Sequence, residues 1–198
     1  MPRIVCLDLE GVLVPEVWIA VAEATQIADL RRTTRDEPDY DKLMRGRIDL
    51  LSKHNLRLPD IQRVVNDMDV LPGAKEFMNR LRTREQVIIL SDTFYQFAAP
   101  FMQKLGQPTL FCHELISDNA GNVKGYRLRV KDSKRRAVNA LKEIGFEVLA
   151  AGDSYNDTTM LGAADKGVLF RCPDSLAEEF PQFSRTSTYD ELWDALLA

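Results

Sequence analysis

Two acids behind a short apolar run make the first chemical signal. Asp8 and Glu10 follow Ile4, Val5, Cys6 and Leu7, with Leu9 between them and Gly11, Val12 and Leu13 behind. A nearly continuous apolar run is the pattern of a strand covered on both faces, where an acid is costly unless it has a partner or a task. In an extended chain the side chains at i and i+2 share a side, so both carboxylates are expected to converge on one spot. Such a pair attracts a divalent cation and offers a nucleophile together with an acid/base. An ordinary strand-end turn with solvated acids would carry the same residues. Gly11 allows the sharp turn that either reading needs.

Two further apolar runs end in the same way. Val87, Ile88, Ile89 and Leu90 lead into Ser91, Asp92 and Thr93, while Val148, Leu149, Ala150 and Ala151 lead into Gly152, Asp153, Ser154, Tyr155, Asn156 and Asp157. A lysine, Lys131 or Lys134, stands just ahead of a helix. In a parallel sheet all three strand ends share one edge, where open α/β folds bind ligands. The set then has one coherent chemistry. Asp8 attacks phosphorus, carboxylates hold a magnesium ion that neutralises phosphoryl oxygens, and Ser91 with a lysine grips the rest. Magnesium suits this set because it prefers oxygen ligands and retains some water.

The elements that must position these residues follow in order along the chain. Val17 to Ala24 is helix-compatible. Residues 31–41, including Arg31, Arg32, Thr33, Thr34, Arg35, Asp36, Glu37, Pro38 and Asp39, read as a polar loop, with Asp39 able to cap the next helix. That helix is predicted from about Tyr40 to His54, with Tyr40, Leu43, Met44, Ile48 and Leu51 as its apolar stripe. Arg47 falls on the same stripe, where an arginine either snorkels past the core edge or faces an anion. A further helix opens at Leu58, with Ile61, Val64, Val65 and Met68 inward. No strand is expected between the first strand and Leu71, so residues 15–71 read as a helical insertion between core segments 1–14 and 72–198.

Beyond it, helices are predicted over Gly73–Thr83 and Phe94–Leu105 and a short strand over Thr109–Cys112. Asp118 to Asn122 marks a hairpin turn between two short strands. Asp132 and Ser133 are N-cap candidates for a helix over Lys134–Ile144. Gly167–Phe170 is a further strand, Pro173 and Pro181 break up a short helical tail, and Thr188 caps a last helix over Tyr189–Leu197. Strands alternating with helices predict an α/β protein: a doubly wound, Rossmann-like parallel sheet with a small helical cap inserted after its first strand.

Composition narrows the function classes. The chain has 198 residues, 45% hydrophobic and 28% charged, as in a globular protein of one domain with a sizeable insertion. A net charge of −4 implies no broad basic surface for nucleic acid. Cys6, Cys112 and Cys172 have neither zinc nor disulfide spacing, which favours a reducing compartment. Cys6 is expected as a small buried hydrophobe. Pro2 and Arg3 lead directly into an acid-containing run, so no signal peptide is expected, and no apolar run is long enough to span a membrane. The expectation is a cytoplasmic protein acting on small molecules, with a homodimer as open as a monomer.

These four stretches, in this order, resemble the motifs of the haloacid dehalogenase superfamily of phosphatases. The first motif, usually two aspartates flanking one residue and followed by glycine, stands here as Asp8, Leu9, Glu10, Gly11. The second matches Ser91 at a strand end, the third matches Lys134 better than Lys131, and the fourth stands as Gly152, Asp153, Ser154, Tyr155, Asn156, Asp157. The resemblance covers essentially the whole chain and departs from the usual pattern at Glu10. A helical insertion between the first two motifs is similar to the small cap of phosphoserine phosphatases. The stretches Asp8–Trp18, Thr33–Arg47 and Leu90–Tyr95 look like a bacterial subgroup that also transfers phosphate to homoserine and carries Glu in its first motif.

The resemblance implies that Asp8, the Glu10 main-chain carbonyl and Asp153 bind magnesium. It implies that Asp8 and Glu10 are catalytic, and that Glu16, Arg47, Ser91, Asp92, Lys134 and Asn156 contact substrate. Phosphoserine carries an ammonium, a carboxylate and a phosphate, which Glu16 and the fork of Arg47 can meet. Glu16 equally suits the first turn of a helix. Asp157 either binds the metal through water or orients Lys134. His54 and His113 have no partner at a useful spacing and are assigned to solvent or structure, Asp132 to a cap, and Trp18, Phe94 and Tyr95 to the core. Two other readings fit part of the pattern. One is a phosphatase for a sugar or nucleotide. The other is a signalling receiver module, whose fold has no place for the insertion or for the acids at Asp153 to Asp157.

Overall fold

In the computed structural model, which describes all residues except Arg35 and Pro38, three neighbouring strands carry the fold. They are β1 (Arg3–Leu7), β2 (Gln86–Phe94) and β5 (Glu147–Gly152). With β3 (Thr109–Ser117), β4 (Val123–Arg127), β6 (Lys166–Phe170) and β7 (Ser184–Thr186) they form a seven-stranded sheet in the order β4-β3-β2-β1-β5-β6-β7. All neighbours are parallel except β3 and β4, which make the expected antiparallel hairpin.

Period-two alternation divides the apolar residues between two faces. Val5, Leu7, Ile89, Leu149, Ala151, Val168 and Phe170 face one way. They pack on α1 (Val17–Thr25), α4 (Ala74–Arg82), α5 (Tyr95–Lys104) and α9 (Tyr189–Leu197). Ile4, Cys6, Ile88, Leu90, Val148, Ala150 and Leu169 face the other way, onto α6 (Ser133–Glu143), α7 (Thr158–Ala163) and α8 (Asp174–Glu179). Helices cover both faces, which is the doubly wound α/β architecture expected. Cys6 is fully buried, and burial pushes its thiol up to about 12, so it behaves as a small hydrophobe.

Residues 15–71 contribute α1, α2 (Tyr40–Lys53) and α3 (Leu58–Asp67), and no strand among the described residues. Trp18, Met44, Leu51, Ile61 and Val65 from these helices belong to the same apolar cluster as the first sheet face. Burying each such side chain stabilises the fold by roughly 1.5–3 kcal/mol. Asp39 caps α2 by accepting from Lys42 N at 3.1 Å. In the polar stretch ahead of it, Ala28–Arg31 forms a single 3₁₀ turn, and the predicted loop positions Arg35 and Pro38 lie outside the described residues. Thr188 caps α9 as expected, and Glu191 returns the bond in a capping box that was not anticipated.

Four local expectations differ from the structure. β2 and β3 run on to Phe94 and Ser117, but their pairing loses register between Leu90 and Phe94. Ser91, Asp92 and Thr93 therefore lie in a stretch that the ladder does not hold. Asp132 stands at the α6 N-cap with φ +53° and makes no capping bond, because its carboxylate pairs with Arg135 and with Thr159 at 3.2 Å. β7 was not anticipated, since three polar edge residues carry no periodic signal. Tyr95, expected in the core, is exposed at the start of α5. No helix among the described residues is long and apolar enough to cross a membrane.

Candidate active site

The ends of β1, β2 and β5 and the start of α6 meet at one edge of the sheet. Asp8 is one residue past β1, and its N–H still continues the ladder to Ala151 O at 3.0 Å. Asp8 Oδ1 accepts from Leu9 N at 2.7 Å and lies 2.8 Å from Lys134 Nζ. Lys134, in the first turn of α6, also donates to Asp157 Oδ1 at 2.7 Å and stands 3.7 Å from Asp92 Oδ2. Asp8, Lys134 and Asp157 are all buried. Lys131, the other lysine considered, is exposed and outside this cluster.

Charge is unevenly matched here. Burial pushes the Asp8 carboxyl well above the usual range, Asp157 and Asp153 add to it, and Lys134 only opposes them. Burial alone would lower Lys134, but Asp157, Asp8 and Asp92 outweigh it and hold the ammonium charged. Asp8, Asp153 and Asp157 each offer one carboxylate oxygen, all within 4.8 Å of one another. Lys134 thus serves three carboxylates at once, those of Asp8, Asp92 and Asp157. An all-oxygen set with this excess of negative charge fits a hard divalent cation.

Asp157 is already committed. Its Oδ1 takes Lys134, and its Oδ2 accepts from Asp153 N at 3.0 Å and Ser154 N at 3.1 Å. Both oxygens have donors, so Asp157 acts as an organiser of the loop and of Lys134. Gly152 makes this closeness feasible, since a Cβ there would sit 2.4 Å from the Asp157 side chain.

Asp8 and Glu10 take different partners. The chain leaves the extended conformation after Leu7 and reverses through Gly11 at φ +79°, with Glu10 bridging to Val14. Glu10 Oε2 accepts from Val17 N at 2.9 Å, at the start of α1. Burial, with the Glu16 carboxylate next, pushes Glu10 up to about 7. Glu16 occupies the N-cap position of α1 but makes no capping bond. Arg47 is buried, with Cζ 4.6 Å from the Trp18 ring centroid. Its Nη2 donates to Arg32 O at 2.7 Å and Nη1 meets Met44 Sδ at 3.5 Å. Arg47 Nε has no hydrogen-bond partner among the described residues, and burial pushes the guanidinium down to about 10.

Ser91, Asp92 and Asn156 complete the edge. Ser91 is buried, and its Oγ accepts from Thr93 N at 3.1 Å. Asp92 Oδ2 accepts from Asn156 Nδ2 at 3.0 Å, and Asn156 Oδ1 accepts from Ser154 Oγ at 2.5 Å. Burial would raise the Asp92 carboxyl, but Lys134, His113 and Asn156 outweigh it and hold it well below the usual range. Tyr40, at the start of α2, donates to Asp92 O at 3.1 Å.

The chain matches the family model of haloacid dehalogenase-like hydrolases over residues 2–165. It belongs to that family. It is 58% identical to a phosphoserine phosphatase of Pseudomonas syringae pv. tomato over 190 residues, covering 96% of this chain and 80% of the relative. It is 56% identical to the phosphoserine phosphatase ThrH of Pseudomonas aeruginosa over 190 residues, covering 96% and 93%. Its fold matches a solved phospho-aspartyl intermediate analogue of a phosphoserine phosphatase, with TM-score 0.80, 17% identity and 98% of each chain covered.

Within this haloacid dehalogenase-like frame, the predicted strand-end residues share one edge, while Glu16 at the start of α1 and Arg47 on α2 act electrostatically on Glu10. Sequence reasoning missed His113, which is buried on β3 with Nε2 3.2 Å from Asp92 Oδ1. It missed Tyr40 as more than an apolar stripe residue. No spacing signal could have found either, since each lies more than 20 positions from Asp92 and meets it only through the fold.

Proposed function

We propose that this chain is a magnesium-dependent phosphoserine phosphatase that works through an aspartyl-phosphate on Asp8 and also passes the phosphoryl group to homoserine. The observation that carries the reading is Lys134 held between Asp8 and Asp157 at the shared strand edge. The names of the two Pseudomonas relatives support the substrate. The homoserine branch rests on Glu10, where the family usually has Asp, and on the subgroup resemblance.

In this reading residues 15–71 cap a core of 1–14 and 72–198. Arg47 takes the substrate carboxylate with its Nε, and Glu16 takes the ammonium. Ser91, Lys134 and Asn156 hold phosphoryl oxygens, with Asp92 organising the last two. Asp8 attacks phosphorus as the serine oxygen departs with a proton from Glu10. An acyl phosphate remains on Asp8 and a carboxylate on Glu10. That carboxylate then takes the proton of the incoming water or homoserine hydroxyl, whose oxygen attacks phosphorus and frees Asp8. Asp8, Asp153 and the Glu10 main-chain carbonyl would hold magnesium, which supplies neutralisation of phosphoryl charge when bound.

The test is product analysis with phosphoserine and magnesium, with and without homoserine. The expected products are free phosphate in both cases and phosphohomoserine in the second. Glu10→Asp, shorter by one carbon–carbon bond of about 1.5 Å, should shift the partition toward hydrolysis. No phosphohomoserine at saturating homoserine overturns the transferase branch. No steady phosphate release, with or without magnesium, overturns the phosphatase reading.

A further inference from the structure

His113 has no part in the chemistry just described, yet it holds the residue on which two of its groups converge. His113 Nδ1 accepts the main-chain N–H of Arg129 at 3.3 Å. That nitrogen therefore carries the lone pair, which leaves Nε2 as the N–H that donates to Asp92 Oδ1 at 3.2 Å. The same Oδ1 accepts from Ser133 Oγ at 3.4 Å. Oδ2 faces Asn156 at 3.0 Å and Lys134 at 3.7 Å.

Asp92 needs such an anchor. It lies where β2 and β3 lose register, so the ladder does not fix its backbone, and its side chain is partly exposed. Asn156 is itself exposed in a 3₁₀ turn, with Asp92 and Ser154 as its side-chain partners. Lys134 is less dependent, being gripped by Asp8 and Asp157 directly.

We propose that His113 is a positioning residue: as the Nε2–H tautomer it fixes the Asp92 carboxylate and thereby aims the Asn156 amide into the reaction edge. The proposal rests on the phosphatase reading for its kinetic consequence, but not for the tautomer. His113→Phe should lower kcat/KM for phosphoserine about tenfold, the size of one lost hydrogen bond. His113→Gln, which retains an N–H donor, should recover most of that loss. In the double variant with Asn156→Ala, the loss should stay within about twofold of Asn156→Ala alone, because residues acting in one chain of contacts are non-additive. Losses that multiply, or a folded Gln variant as poor as Phe, overturn the proposal.

Imidazole ¹⁵N resonances of the wild-type chain give a readout free of activity, with only His54 and His113 to assign. His113 should show a protonated Nε2 and an unprotonated Nδ1, perturbed by Asp92→Ala. The opposite tautomer overturns the proposal. A correct tautomer in a chain without turnover would leave His113 anchoring Asp92 and sink the phosphatase reading instead.

Discussion

Gly11 lies so close to Asp153 that a Cβ on it would sit 2.4 Å from the carboxylate. Its φ of +79° adds a second reason for glycine, because an L side chain in the left-handed region costs about 1–2 kcal/mol. Gly11→Ala should therefore push Asp153 away from Asp8 and lower Tm by about 2–8 °C. Magnesium binding, followed by titration calorimetry, should weaken at least tenfold. An alanine variant that binds magnesium as wild type does would separate this contact from the metal site.

Asp8→Asn should keep the fold and substrate binding yet lose turnover by several orders of magnitude, as for removal of a covalent nucleophile. Phosphate release by purified protein, with deamidation excluded by mass spectrometry, checks this. Substantial release would refute the covalent route.

Arg47 Nε is buried beside Trp18 and has no hydrogen-bond partner among the described residues. Arg47→Ala should reduce kcat/KM for phosphoserine by the roughly 2–5 kcal/mol typical of a desolvated charge partner. An aryl phosphate, which lacks the amino-acid carboxylate, should lose far less. Equal losses on both substrates would assign Arg47 to the phosphate or to the fold.

Glu10, raised to about 7 chiefly by burial and then by Glu16, sets an alkaline limit. The proposed step needs its neutral form, whose population falls as pH rises through that value. kcat/KM should therefore decline above pH 7. Stability follows the same sign: a raised carboxyl contributes stability that is present below about 4.5 and lost as pH rises through about 7. Urea melts of Glu10→Gln should show a smaller loss between pH 5 and pH 8 than wild type.

The sequence by itself determined the alternation of apolar runs with helices and the polar residues that close each run. Asp8, Ser91 and Asp153 were legible because a chemical group at the end of a buried strand breaks a local pattern. The Asp39 and Thr188 caps were legible because a cap satisfies N–H groups only three residues away. Tertiary structure alone decided which distant groups meet. Glu10 meets Val17 N because the chain reverses at Gly11 and brings the start of α1 back to it. Lys134 rather than Lys131 reaches Asp8 because α6 begins between them and presents only its first turn to the strand edge. Asp157 closes a local capping box with Ser154, which its spacing suits, but its second oxygen goes to Lys134, 23 positions away, which no spacing rule discloses. His113 and Tyr40 reach Asp92 from β3 and α2, elements that only the fold brings beside it. Periodicity records which face of an element is buried, whereas the partner of a polar atom depends on register between elements, and that exists only once the chain has folded.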